Sequence, residues 1–231
     1  MGRREVFSLP AAPALRATDV DIPSRLAAEL RELINDGKLS PGQQLRQQDL
    51  ARRFGISRVP VRETLSLLVA EQAVCHDPNR GFHVAPLSGS EARQLYRVRH
   101  LLETELLSTV RWPTADELAD LRARLAELDR CLADGARAAW VHAHREFHGA
   151  IFSLSPDWVL RREVMRLMRQ TDRYRAMAPP AFAGYRFPAD PEHHLVDTLA
   201  VRDRAALLEA YRRDRSTVET HLLASLAARG L

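Results

Sequence analysis

DLARRFGISRVPVRETLSLL, residues 49–68, decides how the first third of this chain is read. One helical pattern runs from Gln47 to Arg53 and is closed by Gly55. Ser57 then stands where a helix cap belongs, and Pro60 falls in the first turn of the next helix, where its missing N–H costs nothing. In that helix, expected to reach Glu71, the apolar set Val61, Leu65, Leu68 and Val69 shares one face. Arg58 and Arg62, four apart, share another. From residue 46 to 62 the charges are Arg46, Arg52, Arg53, Arg58 and Arg62 against Asp49 alone, with Glu63 just beyond. A guanidinium fork matches a guanine edge or a phosphate, and a helix start with its serine can hold a phosphate. The plain alternative is a solvated arginine face on an ordinary helix.

Working outward, residues 1–20 carry Pro10, Pro13, Arg3 and Arg4 without apolar periodicity and read as a mobile arm. A helix is expected over 22–34, from Ile22, Leu26, Leu30, Leu33 and Ile34, with Asp21 or Ser24 as cap and a stop at Asn35-Asp36-Gly37. LSPGQQL (39–45) reads as a turn. Segments 73–76 and 81–85 flank DPNRG and make a hairpin. Beyond Pro86-Leu87-Ser88-Gly89 the pattern is helical throughout, at about 88–110, 114–133, 136–153, 157–176, 192–202 and 204–229. The expected fold is mainly α: a winged helix-turn-helix with a small β-hairpin over 21–86, then an antiparallel all-α bundle over 87–231.

The composition is that of a globular protein, with 45% hydrophobic and 28% charged residues in 231. No run is long enough to span a membrane and no leader pattern opens the chain, so a cytoplasmic protein is expected. The net charge of +4 and pI of 9.6 invite a nucleic-acid partner without establishing one. Lys38 is the single lysine among 34 basic residues. Arginine is the better reader of phosphates and guanines, although compositional drift gives the same bias. Cys75 and Cys131 match no metal or redox spacing and are expected to be buried thiols. Trp112, Trp140 and Trp158 are expected in core or helix-end packing.

INDGKLSPGQQL, DLARRFGISRVPVRETLSLL and NRGFHV together resemble the GntR family of bacterial transcription regulators over residues 22–86. The resemblance implies that Arg58 and Arg62 read an operator, helped by Ser57, Val59 and Gln48, with Arg46 and Pro60 in the same interface. It also implies that Arg80-Gly81 at the wing tip reaches the minor groove or backbone. Gln48 stands where the family often has a charged residue, and VAEQAVC replaces the commoner end of the third helix. YRVRHLLE (96–103), HAHREFHGAIFSLS (142–155) and EHHLVDTLAVRDRAAL (192–207) resemble, more weakly, the helical FCD effector domain of the FadR subgroup. Such domains dimerise, bind small organic acids, and in many members hold a divalent metal through one Asp and three His.

His144 and His148 are four apart on one helix, so both imidazoles can reach one ion. His148 falls on the family's first histidine and His144 on its aspartate. An ungapped match puts Glu192 and Asp214 at the remaining histidine positions. About a turn near Asp203, Glu192 and Asp214 are each eleven residues away and His193 ten, so they share a level. His221, eighteen away, lies about 10 Å further along. The expected site is His144, His148, Asp214 and either Glu192 or His193, with mixed N/O ligation suited to Zn²⁺, Ni²⁺ or Mn²⁺. The alternative is a decayed metal site whose members bond one another or a ligand. A small carboxylate effector would meet Arg99 and Arg173 or Arg175, unless Arg99 pairs with Glu103 on its own helix. The expected function is a dimeric, effector-responsive repressor on a palindromic DNA operator. The competing expectation is a metal-dependent enzyme on the histidine-bearing bundle, against which stands the absence of HExxH and GxSxG.

Overall fold

The computed structural model describes residues 21–35, 37–176 and 191–228. The expected N-terminal arm lies outside the described residues. Two compact units meet in sequence between Pro86 and Leu87.

In the first unit, α1 (Ile22–Asn35), α2 (Gln47–Phe54) and α3 (Arg58–Ala70) are followed by β1 (Val74–Asp77) and β2 (Gly81–Val84). The Asp21 carboxylate accepts from the Ser24 N–H at 3.2 Å and starts α1. That helix turns Leu26, Leu30, Leu33 and Ile34 into the core. Gly55, at φ 66°, ends α2 in the left-handed conformation that favours glycine, its N–H bonded to the Ala51 carbonyl. Only Gly55, Ile56 and Ser57 separate α2 from α3. Phe54, Val61, Leu65 and Leu68 close the core against Leu26, Leu30 and Val84. At roughly 1.5–3 kcal/mol for each large apolar side chain, this burial fixes which face of α3 remains outside.

The hairpin pairs Val74 with Val84 and Asp77 with Gly81. Its turn is held by the Asp77 carboxylate, which accepts from the Asn79 and Arg80 N–H groups at 2.7 and 3.1 Å. The segment read from sequence as a bare turn does more than turn. Gly42 and Leu45 donate to the Val84 and Phe82 carbonyls, and Val84 donates back to Gln43, so residues 42–45 add a third edge to the wing. Cys75 is exposed, contrary to expectation, and only Cys131 is buried. Strand alternation places Val74 inward and Cys75 outward, where its Sγ lies 3.7 Å from the His83 carbonyl.

The second unit is helical among its described residues: α4 (Gly89–Thr109), α5 (Ala115–Ala133), α6 (Arg137–Phe152), α7 (Trp158–Ala176), α8 (Pro191–Val201) and α9 (Arg204–Ala227). Ser88 caps α4 through the Glu91 N–H, Thr114 and Glu117 form a capping box on α5, and Asp203 caps α9 through Ala206. Helix α4 packs on α7 and α9, α6 on α5 and α7, and α8 on α5 and α9. Leu106, Leu125, Phe147, Ile151, Leu195 and Leu207 make the core between them. Arg204 donates to the Leu107 and Val110 carbonyls and lies 4.4 Å over Trp112, tying the start of α9 to the end of α4. Trp158 sits at the start of α7 and is 61% exposed under the Arg162 guanidinium. No described helix is long and apolar enough to cross a membrane.

Candidate functional site

Two sets of polar side chains stand out, one on the surface of the first unit and one inside the second. The surface set is built on α3. Ser57 precedes the helix in extended conformation without capping it through its hydroxyl, so that oxygen stays exposed with Arg58 on the first turn. Val59, Arg62, Glu63 and Ser66 continue the exposed face. Neither the Arg58 nor the Arg62 guanidinium has an ion-pair or hydrogen-bond partner among the described residues. An open groove of about 630 Å³ runs along this face, lined by Pro23, Val59, Arg62, Glu63, Ser66 and Leu67. Arg46 and Gln48, at the start of α2, are exposed as well, and Pro60 is half-buried. At the wing, Arg80 is exposed and Gly81 half-buried. The Gln44 amide donates to the Arg80 carbonyl at 2.7 Å and pins the wing tip to the third edge.

The interior set draws on five helices. From α4, Arg99 donates to Glu103 at 2.7 Å and to the Thr171 hydroxyl of α7 at 2.5 Å. Glu103 also accepts from Arg215 of α9 at 2.5 Å and from the Tyr211 hydroxyl. One carboxylate thus receives two guanidiniums and a phenol, all buried. Burial alone would raise its pKa, but Arg215 and Arg99 bring it down to about 2. From α6, His144 and His148 direct Nε2 at one Glu192 oxygen of α8, at 3.3 and 3.8 Å. Burial, then the nearby Arg175 and His148, hold His144 well below the ordinary imidazole range. Burial does the same, less strongly, to His148. Glu192, half-buried, is held well below the ordinary carboxylate range by both imidazoles, which outweigh the cost of its partial burial.

These three side chains are the one metal-competent group among the described residues, with their ligand atoms within 4.8 Å of one another. Donors about 2 Å from a shared tetrahedral ion stand about 3.4 Å apart, so the His144 separation of 3.3 Å suits joint ligation and the His148 separation of 3.8 Å would have to close slightly. Both Nδ1 atoms are buried without a partner among the described residues. Metal-bound histidines ordinarily donate that N–H to a second group, and the described residues do not supply one.

The gntR model of bacterial regulatory proteins matches residues 23–84, and the FCD domain model matches residues 94–221. The uncharacterized HTH-type transcriptional regulator BphR of Paraburkholderia xenovorans (strain LB400) is 34% identical over 192 residues, covering 79% of this chain and 75% of that one. This chain belongs to the gntR family of bacterial regulatory proteins. The HTH-type transcriptional repressor GlaR of Escherichia coli (strain K12) is 33% identical over 153 residues, 63% of this chain and 70% of that one. The fold matches a GntR transcriptional regulator from Rhodococcus sp. RHA1 at a TM-score of 0.76, covering 88% of this chain and 98% of that one. At 24% identity that likeness speaks for the fold alone. The chain is therefore a bacterial transcription regulator with a DNA-binding domain and an FCD effector domain. The family is one of regulators, which sets aside the expectation of a metal-dependent enzyme.

Within this gntR-family frame, the expected interior residues are only partly brought together. His144, His148 and Glu192 converge. His193 turns away, its Nε2 3.5 Å from the Asp129 carboxylate of α5, so of the pair Glu192 or His193 it is Glu192 that faces the histidines. The Asp214 side chain lies outside the described residues, and His221 is not part of the converging group. Arg173 is engaged by both oxygens of Glu91 at 2.8 Å and by the Tyr174 hydroxyl, rather than standing ready for a ligand. Arg99 takes up the contact with Glu103, yet its Nη2 has no partner among the described residues, and neither has the buried Tyr96 hydroxyl. Sequence reasoning missed Arg215, Tyr211 and Tyr96. The four-residue step from Tyr211 to Arg215 was a usable signal, since it puts both on the face of α9 that carries Leu207 inward.

Proposed function

We propose that this regulator is a homodimeric repressor that binds a palindromic operator through residues 21–86 and is released by a small carboxylate effector held in residues 87–231. The observation that carries the DNA half is the pair of guanidiniums, Arg58 and Arg62, without partners among the described residues, on the outward face of a helix whose opposite face is core. Arg46, Gln48, Ser57, Val59 and Pro60 complete the surface laid in the major groove, and Arg80 and Gly81 reach the flanking backbone or minor groove. Two relatives named as repressors, GlaR of Escherichia coli and the gluconate operon repressor of Bacillus licheniformis, support repression.

For the effector half, the support is a buried cationic interior where, among the described residues, Arg99 Nη2 and Tyr96 Oη keep open hydrogen-bonding capacity. His144, His148 and Glu192 would hold a divalent ion such as Zn²⁺, Ni²⁺ or Mn²⁺, and that ion would supply a Lewis-acid anchor for the effector's carboxylate. An effector acts on the operator only through its different affinity for the two states, so operator and effector must change each other's affinity by one factor.

The test is selection of bound sites from a random-core duplex library by the full chain and by the Arg58→Ala/Arg62→Ala double variant. The wild type should enrich an inverted repeat, with binding that weakens steeply as salt rises. Two bidentate contacts at about 1–3 kcal/mol each predict at least a thirtyfold loss for the double variant, with an unchanged far-UV spectrum. Equal enrichment by both proteins would remove the assignment.

A further inference from the structure

Val59 is 65% exposed, the second most exposed of the large apolar side chains described, and it sits on the helix assigned to DNA. Its angular position is informative. At about 100° per residue, the buried positions Val61, Thr64, Leu65 and Leu68 fill one arc of α3, and the direction opposite the middle of that arc falls on Val59. Arg62 and Ser66 flank it on one side and Glu63 on the other. The residue aimed most directly away from the domain core is thus not one of the arginines but a β-branched hydrocarbon, with both arginines to the same side of it.

A valine 65% exposed adds little to the core, and a hydrocarbon makes no favourable contact with a phosphate. Inside the major groove one base offers an apolar group, the C5 methyl of thymine; every other edge atom there is a hydrogen-bond donor or acceptor or a C–H. The stiff isopropyl group of valine has nearly fixed χ1 freedom on a helix, so little disorder is lost when it packs. Against a cytosine or purine at the same place, Val59 would desolvate polar edge atoms without replacing their bonds, which makes the contact selective as well as favourable.

We propose that Val59 is a specificity-determining residue that packs on a thymine methyl beside the bases read by Arg58 and Arg62. This rests on the DNA-reading assignment made above and names what its central side chain recognises. Glu63, next to Val59 on the groove wall, reinforces the choice by repelling a phosphate from that part of the face and leaving it to base edges.

The experiment uses the full chain and the best site enriched from the random-core duplex library. Each thymidine of that site is replaced in turn by deoxyuridine, which removes the methyl and keeps the base pair. Affinities are then measured by fluorescence anisotropy at one fixed salt concentration. Burying one methyl-sized group is worth roughly fourfold in affinity. Wild-type protein should lose about that factor at one position, or at a symmetry-related pair, and little elsewhere. Val59→Ala, which loses the contact in both half-sites of the dimer, should bind the thymidine site roughly fifteenfold more weakly and be indifferent to deoxyuridine at that position. Alanine is the better helix former, so far-UV spectra should match. Two results overturn the inference: no deoxyuridine position weakens the wild type, or Val59→Ala keeps the full deoxyuridine penalty. Failure of the DNA-reading assignment looks different, because then no site is enriched or the Arg58→Ala/Arg62→Ala variant binds the enriched site as well as wild type.

Discussion

Glu103→Gln removes the negative charge from beneath two buried guanidiniums while preserving shape. In the native protein Glu103 accepts from Arg99 at 2.7 Å and Arg215 at 2.5 Å, and from the Tyr211 hydroxyl. Glutamine offers one carbonyl oxygen for these three donors and turns an NH₂ group, itself a donor, towards a cation. The magnitude follows from two directions. The fall of the Glu103 pKa from 4.5 to about 2 corresponds to about 3 kcal/mol in favour of the charged form, at about 1.4 kcal/mol per tenfold. Deleting one partner of a buried ion pair independently costs about 3–5 kcal/mol. Against a total stability on the order of 5–15 kcal/mol, that is a large share. For a chain of this size it corresponds to a fall in Tm of roughly 6–20 °C. Urea unfolding at pH 7, followed by far-UV circular dichroism on the full chain, measures it directly. Asp120→Asn, which breaks the exposed pair with Arg124 on α5, serves as the comparison and should cost under about 0.5 kcal/mol. A Glu103→Gln protein within about 1 kcal/mol of wild type would refute the shared-carboxylate arrangement, because no packing of two guanidiniums on a neutral amide comes that cheaply.

Acid should weaken the fold in two stages. His144 and His148 are held neutral by burial, with Arg175 adding to the effect at His144. Their folded pKa values lie below the unfolded 6.5, so the unfolded chain binds protons first and stability falls as pH drops below about 6.5. Glu103, depressed to about 2, adds a second loss that begins below about pH 4.5. Urea midpoints across pH 3–8 should show both, and a flat profile from pH 7 to 5 would contradict the burial of the histidine pair. Zn²⁺ added to chelator-treated protein should raise Tm, by the equivalent of about 2.7 kcal/mol at a hundredfold excess over Kd. His148→Ala should abolish the rise, and metal analysis of the purified wild type provides the independent reading.

The helices were legible because their apolar spacing and stop signals agree. Leu26, Leu30, Leu33 and Ile34 mark α1, the Gly55 C-cap separates α2 from α3, and the helical pattern expected from about 114 is α5. The third edge of the wing was not legible, since it is made by residues 42–45 bonding to Phe82 and Val84. Three or four residues carry no alternation long enough to register, and their partners lie some forty positions away. Cys75 was misjudged for a related reason. Cysteine is commonly buried, but within a two-stranded hairpin the pleat decides, and Val74 had already taken the inward side. At the interior site, the i,i+4 spacing gave the His144–His148 pair and antiparallel counting gave the level of Glu192. The choice between Glu192 and His193 could not be counted out. Adjacent residues on a helix point about 100° apart, and only the placement of Asp129 on α5 shows which one turns outward.

The arginine bias carries less information about DNA than it first suggests, and the structure shows why. Arg99, Arg173, Arg175 and Arg215 are all buried in the helical unit, where a lysine ammonium would shed its proton or demand full hydration. Guanidinium keeps its charge under burial, spreads it over a plane, and can serve several acceptors at once. Arg99 does so with Glu103 and Thr171, and Arg215 with Glu103 and Tyr211. The same residue type therefore answers two opposite demands in one chain. On α3 its long stem projects charge outward from a core that never holds it, and in the bundle its fork satisfies buried carboxylates such as Glu103. Counting basic residues cannot separate these uses, because exposure rather than identity assigns them. What marks Arg58 and Arg62 is that the buried apolar residues of α3, Val61, Leu65 and Leu68, turn the other way, while the exposed Val59 stays on the outward side. That exception falls where a surface meant only for water has no reason to place it.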